Sequence, residues 1–184
     1  MLKLCQPPDP NPRQPVLKCP PAAADCHFHI YGPHATYPAL ANKEFGVPDA
    51  LPQALRHLHD VLGIERAVLI QPSGYGFDNL RQLTALAEME RPARAIVAVP
   101  LDVADDELKR LDAAGACGAR FAVGHGHTPS FDDIRRFADR LAPLGWNLDF
   151  HIRRHSDEPV LIPAEKLLRD MPVPVVIAHF AGIP

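Results

Sequence analysis

The sequence predicts an α/β fold with parallel strands, and three observations carry the prediction. Short apolar runs alternate with segments of helical periodicity, the signature of βα units feeding a parallel sheet. The run Arg66-Ala67-Val68-Leu69-Ile70-Gln71 is almost continuously apolar, as expected of a strand covered on both faces. Histidines recur where strands are expected to end, and strand ends are where such folds gather their reactive groups.

Bulk properties narrow the class further. The chain has 184 residues, 47% of them hydrophobic, and a net charge of −3. That suits one packed domain and gives no electrostatic reason to expect nucleic acid or a membrane surface as partner. No apolar run reaches the roughly 18 residues of a membrane span, and Met1-Leu2-Lys3-Leu4-Cys5-Gln6-Pro7-Pro8 lacks the apolar core of a signal peptide. Cys5, Cys19, Cys26 and Cys117 form no C-x-x-C pair and read as reduced thiols of a cytoplasmic protein. Cys26 is expected to be buried, facing away from the histidines beside it.

Residues 1–21 are Pro-rich and aperiodic, so they read as an extended arm; residues 22–184 read as the domain. The first main strand, 23–30, runs into Asp25-Cys26-His27-Phe28-His29-Ile30-Tyr31-Gly32-Pro33. Side chains alternate along a strand, which places His27 and His29 on one face. Two imidazoles there can hold a metal, a carboxylate or a carbonyl oxygen; hydrogen-bonded core histidines are the bland alternative. The long loop 31–48 leaves from the histidine end and reads as a lid.

Leu51, Ala54, Leu55, Leu58, Val61 and Leu62 repeat at helical spacing over 49–62, and Gly63 closes the helix. After the strand 66–71, Pro72-Ser73-Gly74-Tyr75-Gly76 forms a second loop at the rim. A helix over 77–90 is expected to turn Leu80, Leu83, Leu86 and Ala87 inward. Strand 94–100, a short helix 105–114 and strand 117–123 follow, then Gly124-His125-Gly126-His127. Ser130-Phe131-Asp132-Asp133 has capping-box spacing and starts a helix with Phe131, Ile134, Phe137, Ala138 and Leu141 on one stripe. Strand 146–152 ends near His151, a helix spans 163–169, and the last strand spans 173–179. A doubly wound sheet would carry a glycine-rich phosphate turn after its first strand, and none is present. A TIM-type (β/α)8 barrel needs about 250 residues, so this chain supplies about six of its eight strands.

At this point four stretches resemble a known family. They are the Asp-Cys-His-Phe-His-Ile-Tyr-Gly-Pro run, Leu-Gly-Ile-Glu-Arg-Ala-Val-Leu-Ile-Gln-Pro-Ser from Leu62, Gly-Ala-Arg-Phe from Gly118, and Val-Ile-Ala-His-Phe-Ala-Gly from Val176. From about Pro20 onward, the chain looks like a member of the amidohydrolase superfamily, of the amidohydrolase-2 type. It most resembles the branch of 2-pyrone-4,6-dicarboxylate lactonases and galactarolactone isomerases. The resemblance implies a metal-dependent-hydrolase-like barrel that hydrolyses cyclic esters or related bonds. It implies that His27, His29 and His179 are catalytic and polarise a lactone carbonyl. Many superfamily members use such histidines to hold a divalent metal such as zinc; the lactonase branch works without one. Ser73 and Arg120 match residues that bind substrate carboxylates.

The residues' own chemistry agrees. Ester hydrolysis builds negative charge on the carbonyl oxygen, and fixed donors there lower the barrier. Arg120 offers a planar fork suited to a carboxylate, or is a partly buried arginine paired with a nearby aspartate. Ser73 is either a substrate contact or an ordinary turn serine. Tyr75 is a rim aromatic that can touch ligand, and His151 is read as a site residue at a strand end. His125 and His127 read as solvated loop histidines, while His34, His57, His59 and His155 read as helix-surface or loop residues without a role.

The chain also departs from the family pattern. A second arginine, expected six residues after Arg120, is replaced by Gly126. The family's aspartate at the end of the eighth strand would lie beyond Pro184. Read as it stands, the chain is therefore expected to be an incomplete, inactive copy, with open strand edges that favour poor solubility or a homo-oligomer. The expected partner is a small acidic lactone or carboxylate. Two alternatives stay open: a non-catalytic module that binds an acidic metabolite, and a zinc-dependent decarboxylase of the same superfamily.

Overall fold

The computed structural model describes residues 3–40, 45–123, 129–152 and 161–182. The chain divides into two compact units, Met1–Ala95 and Ile96–Pro184.

The first unit contains β1 (Lys3–Leu4), β2 (Ala24–Phe28), β3 (Phe45–Gly46), α1 (Pro52–Leu62), β4 (Arg66–Ile70), α2 (Leu80–Ala87) and the start of β5 (Ala93–Val97). β1 pairs in parallel with β3, and Cys5 N–H donates to the Gly46 carbonyl at 2.9 Å. The proline-rich arm is thus tied, near its start, to the loop that follows β2. β2 and β4 pair in parallel, as the alternation of strands and helices predicts. Ile30, Leu69, Ala85 and Ala95 form a core cluster, with Phe28, Leu55, Leu86 and Met89 packed against it.

Two helix faces differ from expectation. α1 begins at Pro52, where a missing N–H costs nothing, and ends at Gly63 with φ 77°. Its buried positions are Pro52 and His59, whereas Leu58 is 37% exposed. α2 begins later than the periodicity suggests, because the Asp78 side chain accepts the Leu80 N–H and holds the preceding turn out of the helix. The buried positions become Arg81, Gln82 and Ala85, leaving Leu80 59% exposed and Ala87 exposed. Gln82 Nε2 donates to the Ile30 carbonyl at 2.8 Å, so this polar residue is kept inside by a bond to the strand end.

The second unit contains α3 (Asp105–Ala113), β6 (Ala116–Val123), α4 (Phe131–Leu141), β7 (Asn147–Ile152), α5 (Leu161–Arg169) and β8 (Val175–Ile177). β6, β7 and β8 pair in parallel in that order, with Arg120 opposite Asp149 and Leu148 opposite Val175. A Cβ on Gly118 would lie 2.8 Å from the Asn147 carbonyl oxygen, so only glycine lets these strands approach. Ser130 caps α4 by accepting the Asp133 N–H at 3.1 Å, and Ile134, Phe137, Ala138 and Leu141 are buried as the stripe predicts. Trp146 is buried and donates to Asp112 at 2.8 Å. The last strand is shorter than expected: it stops at Ile177, and Ala178–Gly182 is a 3-10 turn. His179 and Phe180 have φ of 56° and 48°, a left-handed conformation incompatible with continuing a strand. Among the described residues no helix is long and apolar enough to cross a membrane.

Candidate functional site

In the first unit the histidine strand is not a plain alternating strand. Asp25 pairs with Ala67 and Phe28 with Leu69, so β2 carries one extra residue against β4, a β-bulge. Asp25 and Phe28 consequently meet the same neighbour: Asp25 Oδ2 lies 3.1 Å from His59 Nε2, and the Phe28 ring stands edge-on to the His59 ring at 5.5 Å. His27 and His29 lie together elsewhere on the strand, with ring centroids 5.3 Å apart. The shared face expected for these two histidines is therefore present. Cys26, expected to be buried, is exposed, because the bulge breaks the alternation that would have turned it inward.

His29 Nδ1 lies 2.8 Å from the Ile70 carbonyl oxygen. A carbonyl only accepts, so Nδ1 carries the proton of the neutral ring, and the bond fixes how the ring is turned. The His29 ring is followed by Tyr31 at 6.3 Å, and Tyr31 packs against Tyr75 at 5.5 Å. Tyr75 is 5% exposed, and its hydroxyl accepts the Gly32 N–H at 2.9 Å. Burial pushes the Tyr75 hydroxyl above its ordinary pKa. Leu40 N–H donates to the Gly74 carbonyl at 2.9 Å, so the expected lid is fastened to the rim loop at two points. Ser73 is exposed and opens the 3-10 turn of that rim loop. Gln71, which the sequence did not single out, is buried and donates to the Gly76 and Asp78 carbonyls at 3.0 and 2.8 Å. It holds the turn bearing Ser73 and Tyr75.

In the second unit Arg120 Nε lies 3.3 Å from Asp149 Oδ1, and both side chains are buried. The pairing follows from register, since the two residues face each other across β6 and β7. Burial pushes the Asp149 carboxyl above its usual range, outweighing the opposing pull of Arg120 and His179. The His151 and His179 rings meet edge-to-face at 4.9 Å. Arg120 is thus the buried, aspartate-paired arginine that was one of its two readings, and the adjacent strand carries His151. Asp149 was not legible as a site residue. Its signal was an acidic residue inside an otherwise buried strand.

His59 requires a correction. It was expected on a helix surface, yet it is 0% exposed and bonded to Asp25. That bond is the main cause holding the Asp25 carboxyl below the usual range, with the His27 N–H adding to it. His125, Gly126, His127 and His155 lie outside the described residues.

A catalytic zinc takes about three protein ligands. Among the described residues no group of three or more His, Cys, Asp or Glu side chains could hold a metal ion. The paired imidazoles of His27 and His29 fall short of that donor set by themselves.

The sequence profile described as Amidohydrolase matches residues 24–184. A 4-sulfomuconolactone hydrolase of Hydrogenophaga intermedia is 32% identical, over 94% of this chain and 56% of that protein. A 2-pyrone-4,6-dicarboxylate hydrolase of Comamonas testosteroni is 31% identical, over 92% of this chain and 55% of that protein. The chain therefore spans about half the length of these relatives. A crystal structure of a probable 2-pyrone-4,6-dicarboxylic acid hydrolase from Acinetobacter baumannii, with citric acid bound, superposes with a TM-score of 0.74. It is 23% identical and covers 87% of this chain and 59% of the other. The likeness establishes the fold class: α/β, six parallel strands of the TIM-type barrel.

Proposed function

The chain belongs to the amidohydrolase family, and from that premise we propose that it carries the histidine half of a hydrolase acting on the lactone of an acidic small molecule. The observation that supports this most is the pair of imidazoles at the end of β2, rings 5.3 Å apart, with His29 held in place by the Ile70 carbonyl. His27, His29 and His179 take the catalytic role and Arg120 and Ser73 the carboxylate-binding role, with His151 and Tyr75 bordering the substrate. In hydrolysis a water oxygen bonds to the lactone carbonyl carbon, the ring C–O bond breaks, and the proton from water ends on the former ring oxygen. An imidazolium N–H can donate to the carbonyl oxygen and stabilise the negative charge that gathers there, whereas neutral His29, with its proton on Nδ1, has only an accepting Nε2. Arg120, held beside Asp149, has the planar fork that suits a substrate carboxylate. Residues 22–184 form the catalytic region, residues 1–21 an accessory arm, and the protein works in the cytoplasm on a small molecule.

The test is an assay of the purified protein with 4-sulfomuconolactone, 2-pyrone-4,6-dicarboxylate and a sugar-acid lactone. Ring opening by the purified protein would support the hydrolase reading and refute the expected inactivity, and His27→Ala and His29→Ala would then each lower kcat at least about 100-fold. Saturable binding of these compounds without ring opening would instead assign the chain to non-catalytic binding of acidic metabolites.

A further inference from the structure

We propose that Asp25 and His59 form a positioning pair that sets the aim of His27, and that the β-bulge in β2 is the element through which they act. The inference rests on the lactone-hydrolase reading for its kinetic consequence, but its geometry stands apart from it. Asp25 is a two-sided acceptor. Its Oδ1 takes the His27 backbone N–H at 3.1 Å, and its Oδ2 lies 3.1 Å from His59 Nε2. The first bond spans the extra residue of the bulge, where β2 has lost its regular pairing with β4. Within a bulge the ladder no longer dictates the backbone, so a side-chain acceptor fixes the direction of the following residue. The second bond fixes the acceptor itself, tying Asp25 to a helix rather than leaving it to rotate in solvent.

His59 is an expensive choice for this place. It is fully buried, and its Nδ1 has no hydrogen-bond partner among the described residues. A carboxylate accepts only, so Nε2 carries the proton, and Nδ1 is an acceptor lone pair shut away from water. Leaving such a group unsatisfied costs about 1–3 kcal/mol. Leu55 of the same helix meets the core with an apolar side chain, and the Phe28 ring stands edge-on to the imidazole at 5.5 Å. Packing alone would favour an aliphatic side chain here. What an aliphatic residue cannot do is hold Asp25, and through it the backbone of His27. A catalytic group displaced by about 1 Å can lose about 100-fold in rate.

The test uses the full chain with His59→Leu, His59→Gln and Asp25→Ala. Leucine removes the buried unpaired nitrogen but also the bond to Asp25, two opposing effects, so thermal stability is expected to change little. It should nonetheless move the 15N and 1H imidazole signals of His27 and, where the wild type opens lactones, lower kcat about 10- to 100-fold at nearly constant KM. Glutamine, whose amide can donate to Asp25, is expected to restore the His27 signals and most of kcat. Asp25→Ala should reproduce the leucine spectrum. A merely structural His59 would show the reverse pattern: kcat falling only in step with the folded fraction, and no rescue by glutamine. The proposal is overturned if His59→Leu folds and leaves the His27 signals in place. If the wild type opens no lactone but the signals shift and are rescued, the positioning pair stands and the hydrolase reading fails. Should Asp25→Ala not fold, the two His59 variants still decide.

Discussion

Asp25 shows how much a single side chain can hide. In the sequence it is an aspartate two residues before a histidine, and plain alternation would place it on the same face. The bulge puts it on the other side, against a helix, and its carboxyl is held below its ordinary pKa by His59. The sign of the pH effect follows. A depressed folded pKa contributes stability that is fully present above the unfolded value near 3.8 and is lost as pH falls through the lower folded value. Asp25→Asn should therefore lose stability at neutral pH and flatten the acid limb of the profile. Urea midpoints at neutral pH and below pH 3.8 are the measurement. The pairing of His27 with His29 was legible because a two-residue spacing survives on either side of a bulge. The burial of His59 was not, because nothing local to a helix marks which of its polar residues has a partner in a distant strand.

Among the elements, strands were read best. The apolar run over β4 and the order of β6, β7 and β8 follow from sequence because covered strands need continuous apolar character. Helix faces were read less well. α1 and α2 each turn a polar residue inward, His59 and Gln82, and each is kept there by a bond to β2 or its end. A hydrophobic stripe cannot foresee such a bond. The shortened β8 has a backbone cause, the left-handed pair His179 and Phe180, which neither residue type signals. At Gly118 the strand pairing itself makes a demand. Gly118→Ala would push a methyl against the Asn147 carbonyl and is expected to cost about 1–3 kcal/mol, read as a lower Tm without a change of fold.

For the molecule as a whole, charge bears on what it would accept. The described residues place one buried arginine on β6, already facing Asp149, and the second arginine of the family pattern is Gly126. A charged hydrogen bond contributes about 1.5–3 kcal/mol, which is about 10- to 100-fold in binding. A lactone with one carboxylate is accordingly expected to outperform the pyrone dicarboxylate in kcat/KM. Gly126→Arg should narrow that gap, chiefly by lowering KM for the doubly charged substrate. Equal kcat/KM values for both substrates in the wild-type protein would refute this. Family and fold class were legible from a few spaced motifs, since the match spans residues 24–184. Substrate preference was not, because it depends on which charges are already balanced inside the protein.

The irregularity in β2 also bears on how the gene can change. Asp25 and Phe28 are three positions apart where regular pairing would have two. Loss of the Cys26 codon alone would restore an ordinary ladder while keeping Asp25 with Phe28 on one side and His27 with His29 on the other. An in-frame deletion there would thus keep the facing of the side chains and remove the span across which Asp25 accepts the His27 N–H.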